Sequence, residues 1–266
     1  MKAESANKNS GWKYFLIVLI VISAAVLAYF AVMNIMAPLH KLDSINKEFA
    51  IKLPEKNKPD ERIYSDSTFL KLLKEKSFLQ SRIAMAETDS IYLSVNIPDS
   101  VINLEINGVI VHTTRIEKIS ISRILREGNE YLISSMLGKP FSIEKSYSTI
   151  FREPLMIKMA PKDTSEYQPD VIPDTARYEP VNYILEMSNG SRVFVYQYEL
   201  SHTGDKMNML KFDVRYRLRD LLESIKSVAA FKVPEYHPYI KIRIPRKDAR
   251  IIYRALPVHG QIAVYR

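Results

Sequence analysis

The longest apolar run lies near the start of the chain. From Tyr14 to Met33, the twenty residues YFLIVLIVISAAVLAYFAVM carry no charge, proline or glycine. At about 1.5 Å rise per residue, a helix of this length crosses the roughly 30 Å hydrocarbon core of a bilayer. Trp12, Tyr14 and Tyr29 stand where aromatic side chains favour the headgroup level. A cleaved leader is the competing reading, but its apolar part is ordinarily about 7–15 residues and ends at a small-x-small site. The run is longer and lacks a clean site, so the pattern predicts an uncleaved transmembrane helix over 14–36. Beyond it, Leu39, Leu42, Ile45 and Phe49 keep helical spacing, which extends the anchor helix. One or two heptads are too few to argue a dimer seam, and a homo-oligomer is left open. LPEKNKPDER, rich in charge and proline, then reads as a linker.

After residue 60 the pattern changes. Ser65, Asp66 and Ser67 offer caps for a helix whose apolar face is Phe69, Leu72, Leu73, Leu79 and Ile83. IYLSVNI and then VINLEI and VIVHTTRI, joined by Asn107-Gly108, read as strands around a type I′ hairpin turn. A second hairpin is predicted at YILEM and SRVFVYQYE, turning at Ser188-Asn189-Gly190. Between the hairpins, residues 120–136 read as a helix and PLMIKMA as a strand. Residues 161–180, with four prolines among Asp, Glu and Ser, read as an exposed loop. In KMNMLKFDVRYRLRDLLESIKSVAAF, the residues Phe212, Val214, Tyr216 and Leu218 alternate as in a strand. Leu210, Val214, Leu218, Leu221 and Ile225 also fit one helix face. A helix is predicted from Asp220 onward, with 209–218 left open between the two states. Strand YIKIRI, helix KDARIIYRAL and strand QIAVYR close the chain. The expectation is an α+β protein in which a single N-terminal transmembrane helix precedes a mainly antiparallel β-sheet domain with a few helices. Its segments are a cytoplasmic tail over 1–13, the membrane helix over 14–36, a stalk over 37–60 and a periplasmic domain over 61–266.

Composition narrows the chemistry. The 266 residues include 38 Lys+Arg against 30 Asp+Glu, a net charge of +8, and no cysteine. Thiol nucleophiles, disulfides, thiolate metal sites and iron–sulfur clusters are thereby excluded. The seven glycines are too widely spaced for a GxGxxG or GxxxxGK[ST] motif, which removes the nucleotide enzymes read by those loops. The five histidines, at 40, 112, 202, 237 and 259, form no HExxH or i,i+4 pair, so neither a metal nor a cofactor is predicted. No GxSxG elbow supports a serine hydrolase. Arg215, Arg217 and Arg219 with Tyr216 between them superficially suit nucleic acid. In an exported membrane protein, a solvated face or anionic lipid headgroups explain them better. Lys2, Lys8 and Lys13 against Glu4 favour a cytoplasmic N-terminus. The expected location is therefore a bacterial inner membrane, with the mass of the chain in the periplasm.

The tail HPYIKIRIPRKDARIIYRALPVHGQIAVYR (residues 237–266) resembles the C-terminal end of an L,D-transpeptidase domain of the YkuD type. That family's segment runs Ser-His-Gly-Cys-Ile-Arg-hydrophobic, three variable residues, Asp-Ala, a short helix and Leu/Val-Pro-x-Gly before a last strand. Ile242, Arg243, Ile244, Asp248, Ala249, Tyr253, Leu256, Pro257 and Val264 fall in that order, and the INLEI-NG-VIV hairpin is similar to the family's opening one. The resemblance puts Tyr239 at the family's His, Ile240 at its Gly and Lys241 at its nucleophilic Cys, so neither thiolate nor base is supplied. His259-Gly260-Gln261-Ile262 mimics the motif but lies after the helix that should follow it. The resemblance implies a non-catalytic envelope protein whose domain binds peptidoglycan or a protein partner. The alternatives are a structural subunit of a multiprotein envelope machine (secretion, motility or division) and a wall enzyme with an unrecognised nucleophile. Period-two alternation sets Tyr239, Lys241 and Arg243 on one strand face, where the two cations suit a carboxylate and Arg243 supplies a bidentate fork.

Overall fold

A computed structural model describes residues 8–49, 66–152 and 178–266. The predicted linker at 53–62 and strand at 154–160 lie outside these residues, as does all of the 161–180 loop except its last three positions. The chain divides into two compact units. One comprises the N-terminal helix up to Glu48 with Arg215–Tyr236; the other comprises Phe49–Val214 with His237–Arg266.

In the first unit, α1 (Lys8–Phe49) runs as one helix. It passes through Pro38, where no N–H is available for the Asn34 carbonyl. The helix thus continues through the first part of the expected stalk. Its segment from Trp12 is long and apolar enough to cross a membrane. Burial on α1 begins beyond that run, at Ala37 and Ile45. The unit's other helical part comes from α5 (Asp205–Ala229), from Arg215 onward. The open segment 209–218 is therefore helical, and its burial has helical period: Asp205 and Tyr216 are buried, with Met209, Phe212 and Asp213 partly buried between them.

Among the described residues, the second unit is built on nine strands. They are β1 (Tyr92–Asn96), β2 (Val101–Ile106), β3 (Val109–Arg115), β4 (Lys118–Ile121), β5 (Phe141–Ser148), β6 (Asn182–Met187), β7 (Arg192–Gln197), β8 (Tyr239–Ile244) and β9 (Gln261–Tyr265). Their order is β3-β2-β1-β9-β5-β6-β7-β8-β4. β1/β9 and β7/β8 pair in parallel; the other neighbours are antiparallel. The α+β class and mainly antiparallel sheet expected from the sequence are thus present. Asn107 at φ 48° and Gly108 at φ 81° make the first hairpin turn. The second turns at Gly190, φ 75°, where Asn189 Oδ1 accepts from the Ser191 N–H at 2.9 Å.

β5, which the sequence reading did not single out, joins the two halves of the sheet. Phe141 and Ser142 pair with β9, and after an irregularity between Ile143 and Lys145 the strand pairs with β6. Ile262 and Val264 of β9 line one small cavity with Val193 of β7 and Ile240 of β8, so the two halves face each other across a shared core.

Two further expectations are corrected. Residues 120–136 do not form one helix: β4 is followed by α3 (Arg123–Glu127) and α4 (Glu130–Leu137). The break is local chemistry. A Cβ at Gly128 would lie 2.5 Å from the Ile124 carbonyl oxygen, and the Asn129 side chain caps α4 by accepting from the Tyr131 and Leu132 N–H groups. In α2 (Ser67–Ala86), the predicted apolar face is not the buried one. Leu70, Ser81 and Met85 are buried, whereas Leu72, Leu79 and Ile83 are 60%, 45% and 62% exposed. The helix is turned by what it meets: Met85 packs with Tyr92 and Ala263, and Arg82 reaches the buried Glu105 carboxylate.

Burial is the first cause raising the phenol pKa of Tyr92, Tyr178 and Tyr183, with Glu105 adding at Tyr92 and Asp205 at Tyr178. Above the ordinary tyrosine pKa of about 10, the unfolded chain releases these protons while the folded chain keeps them. The folded state then binds more protons, and stability falls as pH rises. The urea midpoint of the full chain in detergent is expected to hold at about pH 8–9 and to drop between about pH 10 and 11. A midpoint that stays flat over the whole range would contradict this.

Candidate functional site

β8 carries the predicted alternation. Ile240, Ile242 and Ile244 are buried, and Tyr239, Lys241 and Arg243 share the opposite face. Parallel pairing sets Arg192, Phe194 and Tyr196 of β7 beside them, in register with Tyr239, Lys241 and Arg243. On the other flank, Ser120 and Lys118 of β4 stand opposite Lys241 and Arg243. The result is an aromatic and basic face across three strands, in which Arg192 and Tyr196 are buried.

Within that surface the three candidates differ. The Lys241 ammonium lies 4.7 Å from the centre of the Tyr196 ring and 5.8 Å from that of Phe194, contacts worth about 0.5–2 kcal/mol each. Its Nζ is also 3.7 Å from Asp213 Oδ2. Asp213 lies on the part of α5 that belongs to this unit, and its other oxygen accepts a short hydrogen bond from the Tyr196 hydroxyl. Lys241 is therefore held by an internal carboxylate and two rings. Tyr239 meets the Phe194 ring edge-on, with centroids 5.9 Å apart at 82°. Arg243 is half-buried; among the described residues its guanidinium makes no hydrogen bond or ion pair, although its carbonyl accepts from the Glu117 N–H at 2.9 Å. Ile240, at the position the resemblance assigns to glycine, is part of the core.

Asp248 has an architectural task. It stands in the first turn of α6 (Arg246–Ala255), where a negative charge suits the helix dipole. One oxygen accepts from the Thr114 hydroxyl at 2.8 Å and the other lies 3.2 Å from His112 Nε2, fastening α6 to β3. The remaining described histidines of this unit have separate partners. His237 Nδ1 is 2.8 Å from the Gly190 carbonyl, His259 Nδ1 is 3.2 Å from that of Ile143, and His202 packs on Tyr178. Among the described residues, no group of His, Asp and Glu side chains is arranged to hold a metal.

Sequence reasoning missed Asp213 and Glu105. Asp213 lay in the segment left open between strand and helix, so its facing residues were undetermined. Glu105 lies in the predicted strand VINLEI, where nothing in the pattern marks it for burial, yet it is fully buried. Its Oε2 accepts from Arg82 Nε at 3.1 Å, Arg82 Nη2 at 2.9 Å and Tyr92 Oη at 3.1 Å, and its Oε1 takes a short bond from Ser94. So fully engaged, this carboxylate serves the packing of α2. No family model matches the chain, and no curated protein matches it.

Proposed function

We propose that this is a non-catalytic, single-pass envelope protein of the bacterial inner membrane. In this reading α1 is the anchor, and the sheet domain is a periplasmic module that binds peptidoglycan or an acidic protein partner through the outer face of β8. The module is a degenerate L,D-transpeptidase-like domain. One observation carries the proposal: where that resemblance calls for a nucleophile, Lys241 is neutralised by Asp213 and wedged between Tyr196 and Phe194. An ammonium so engaged does not attack a carbonyl. Arg243, beside it, pairs with no carboxylate among the described residues and offers a planar donor fork to a wall-peptide or side-chain carboxylate.

A structural role in an envelope assembly draws support from a different place. Val109, Ile110 and Val111 are exposed on β3, which lies at one end of the sheet among the described strands, and exposed apolar edges suit pairing with another chain. Crosslinking in cells followed by mass spectrometry distinguishes a stoichiometric protein partner from wall fragments alone.

The β8 reading is tested by cosedimentation of the full chain in detergent with purified sacculi. Arg243→Ala is expected to weaken binding about tenfold, the scale of losing charge-assisted hydrogen bonds. Asp213→Asn, which releases Lys241, should strengthen it. Undiminished binding by the double variant Lys241→Ala, Arg243→Ala would remove β8 as the site. Turnover of tetrapeptide-containing muropeptides by the purified protein would refute a non-catalytic role.

A further inference from the structure

The end of α5 has a feature that is unfavourable in water. The Lys232 N–H donates to the Ser227 carbonyl at 2.9 Å, and the Phe231 N–H to that of Val228 at 3.0 Å. These are the paired bonds of a Schellman cap, whose turning residue takes a left-handed backbone and is ordinarily glycine. Here the residue is Phe231, at φ 55°. Its side chain is also 83% exposed. A strained backbone therefore presents a large aromatic side chain to solvent, and strain of this kind persists where function uses it.

Phe231 belongs to the same unit as α1, and its ring lies 6.3 Å from that of Tyr29, centroid to centroid. Tyr29 stands seven residues before Met36, where the predicted span ends, about 10 Å inside it at helical rise. On a membrane-spanning α1, that depth lies among the acyl chains below the headgroups. Leu222 and Ile225, on the two turns before the cap, are also exposed, and Lys226 and Lys232 flank the turn. Apolar and aromatic side chains framed by lysines are the composition of a segment seated in an anionic bilayer surface.

We propose that the C-terminal turn of α5 is a second membrane contact: Phe231 inserts among lipid chains beside Tyr29, and Lys226 and Lys232 meet lipid phosphates. The occupant of this apolar surface is lipid, because the patch continues from the apolar segment of α1 itself. The inference rests on the reading of α1 as a membrane span.

The absence of cysteine makes the test direct, since one introduced cysteine takes one nitroxide label. The full chain is reconstituted in vesicles of phosphatidylcholine and phosphatidylglycerol with labels at Phe231→Cys, at Ile20→Cys in the span and at Lys76→Cys on exposed α2. Power saturation then compares access of oxygen with that of a water-soluble nickel chelate. The label at 231 is expected to favour oxygen several-fold over the label at 76. Because labelling removes the ring, Phe231→Trp in a Trp12→Phe background is read in parallel, and lipids brominated on the acyl chain should quench its fluorescence. A nickel-accessible label at 231 with a lipid-exposed label at 20 overturns the second contact and leaves the anchor standing. Aqueous labels at both positions overturn the anchor as well. A label at 231 shielded from both reagents, or broadened by a neighbouring spin, means that protein covers the turn, and the lipid seat is then wrong.

Discussion

Glu105→Ala is expected to destabilise the protein by about 3–5 kcal/mol, the usual cost of removing one partner from a buried, hydrogen-bonded ion pair. Arg82 would lose its carboxylate beside an apolar cluster, and the Tyr92 and Ser94 hydroxyls would be left without their acceptor. The effect exceeds that of a solvent-exposed pair such as Arg123–Glu127, which is worth about 0–1 kcal/mol. Urea denaturation of the full chain in detergent, followed by circular dichroism, gives the difference in midpoint. A double variant, Arg82→Met with Glu105→Leu, should recover much of the loss, because it removes both charges together. Equal loss in the single and double variants would mean that the unpaired Tyr92 and Ser94 hydroxyls, common to both, set the cost in place of the orphaned charge.

Ile242→Ala is expected to cost about 2–5 kcal/mol, from lost transfer energy and the cavity left behind. Ile242 is fully buried at the middle of β8, opposite Val195 of β7 and Ile119 of β4, so its neighbours are held by sheet pairing and cannot close over the gap. The same strand presents Lys241 and Arg243 on its other face. Ile242→Val, which removes one methylene, should cost only about 0.5–1.5 kcal/mol. Thermal unfolding of both variants checks the ranking, and equal midpoints would show that this part of the core collapses freely.

The fold was legible where local chemistry and burial agree. Asn107-Gly108 announces its hairpin because few residue pairs take two left-handed conformations in succession. YIKIRI shows its two faces because one is core and the other is not. β5 was opaque for a physical reason: the irregularity between Ile143 and Lys145 shifts the phase of FSIEKSYS, and a period-two search fails across such a bulge. The exposed leucines of α2 misled because a helix buries whichever face meets its partners, and here the partners are Glu105 and the Met85 cluster. For the candidate site, the alternation of Tyr239, Lys241 and Arg243 was readable. The Asp213 carboxylate that occupies Lys241 was not, since that contact exists only once the first part of α5, up to Val214, has packed on the sheet.

The position of β9 has a consequence for how the protein is made. The strand that comes last in sequence lies inside the sheet, parallel to β1 on one side and antiparallel to β5 on the other. A ribosome or translocon that has released only β1 to β8 has delivered two half-sheets with nothing to join them. Long-range pairing of this kind is slow to form, and until β9 arrives Leu93 and Val95 have no neighbour on that edge. The sheet thus closes only once β9 has joined β1 and β5. A chain interrupted before residue 261 would display an open apolar seam to chaperones and proteases.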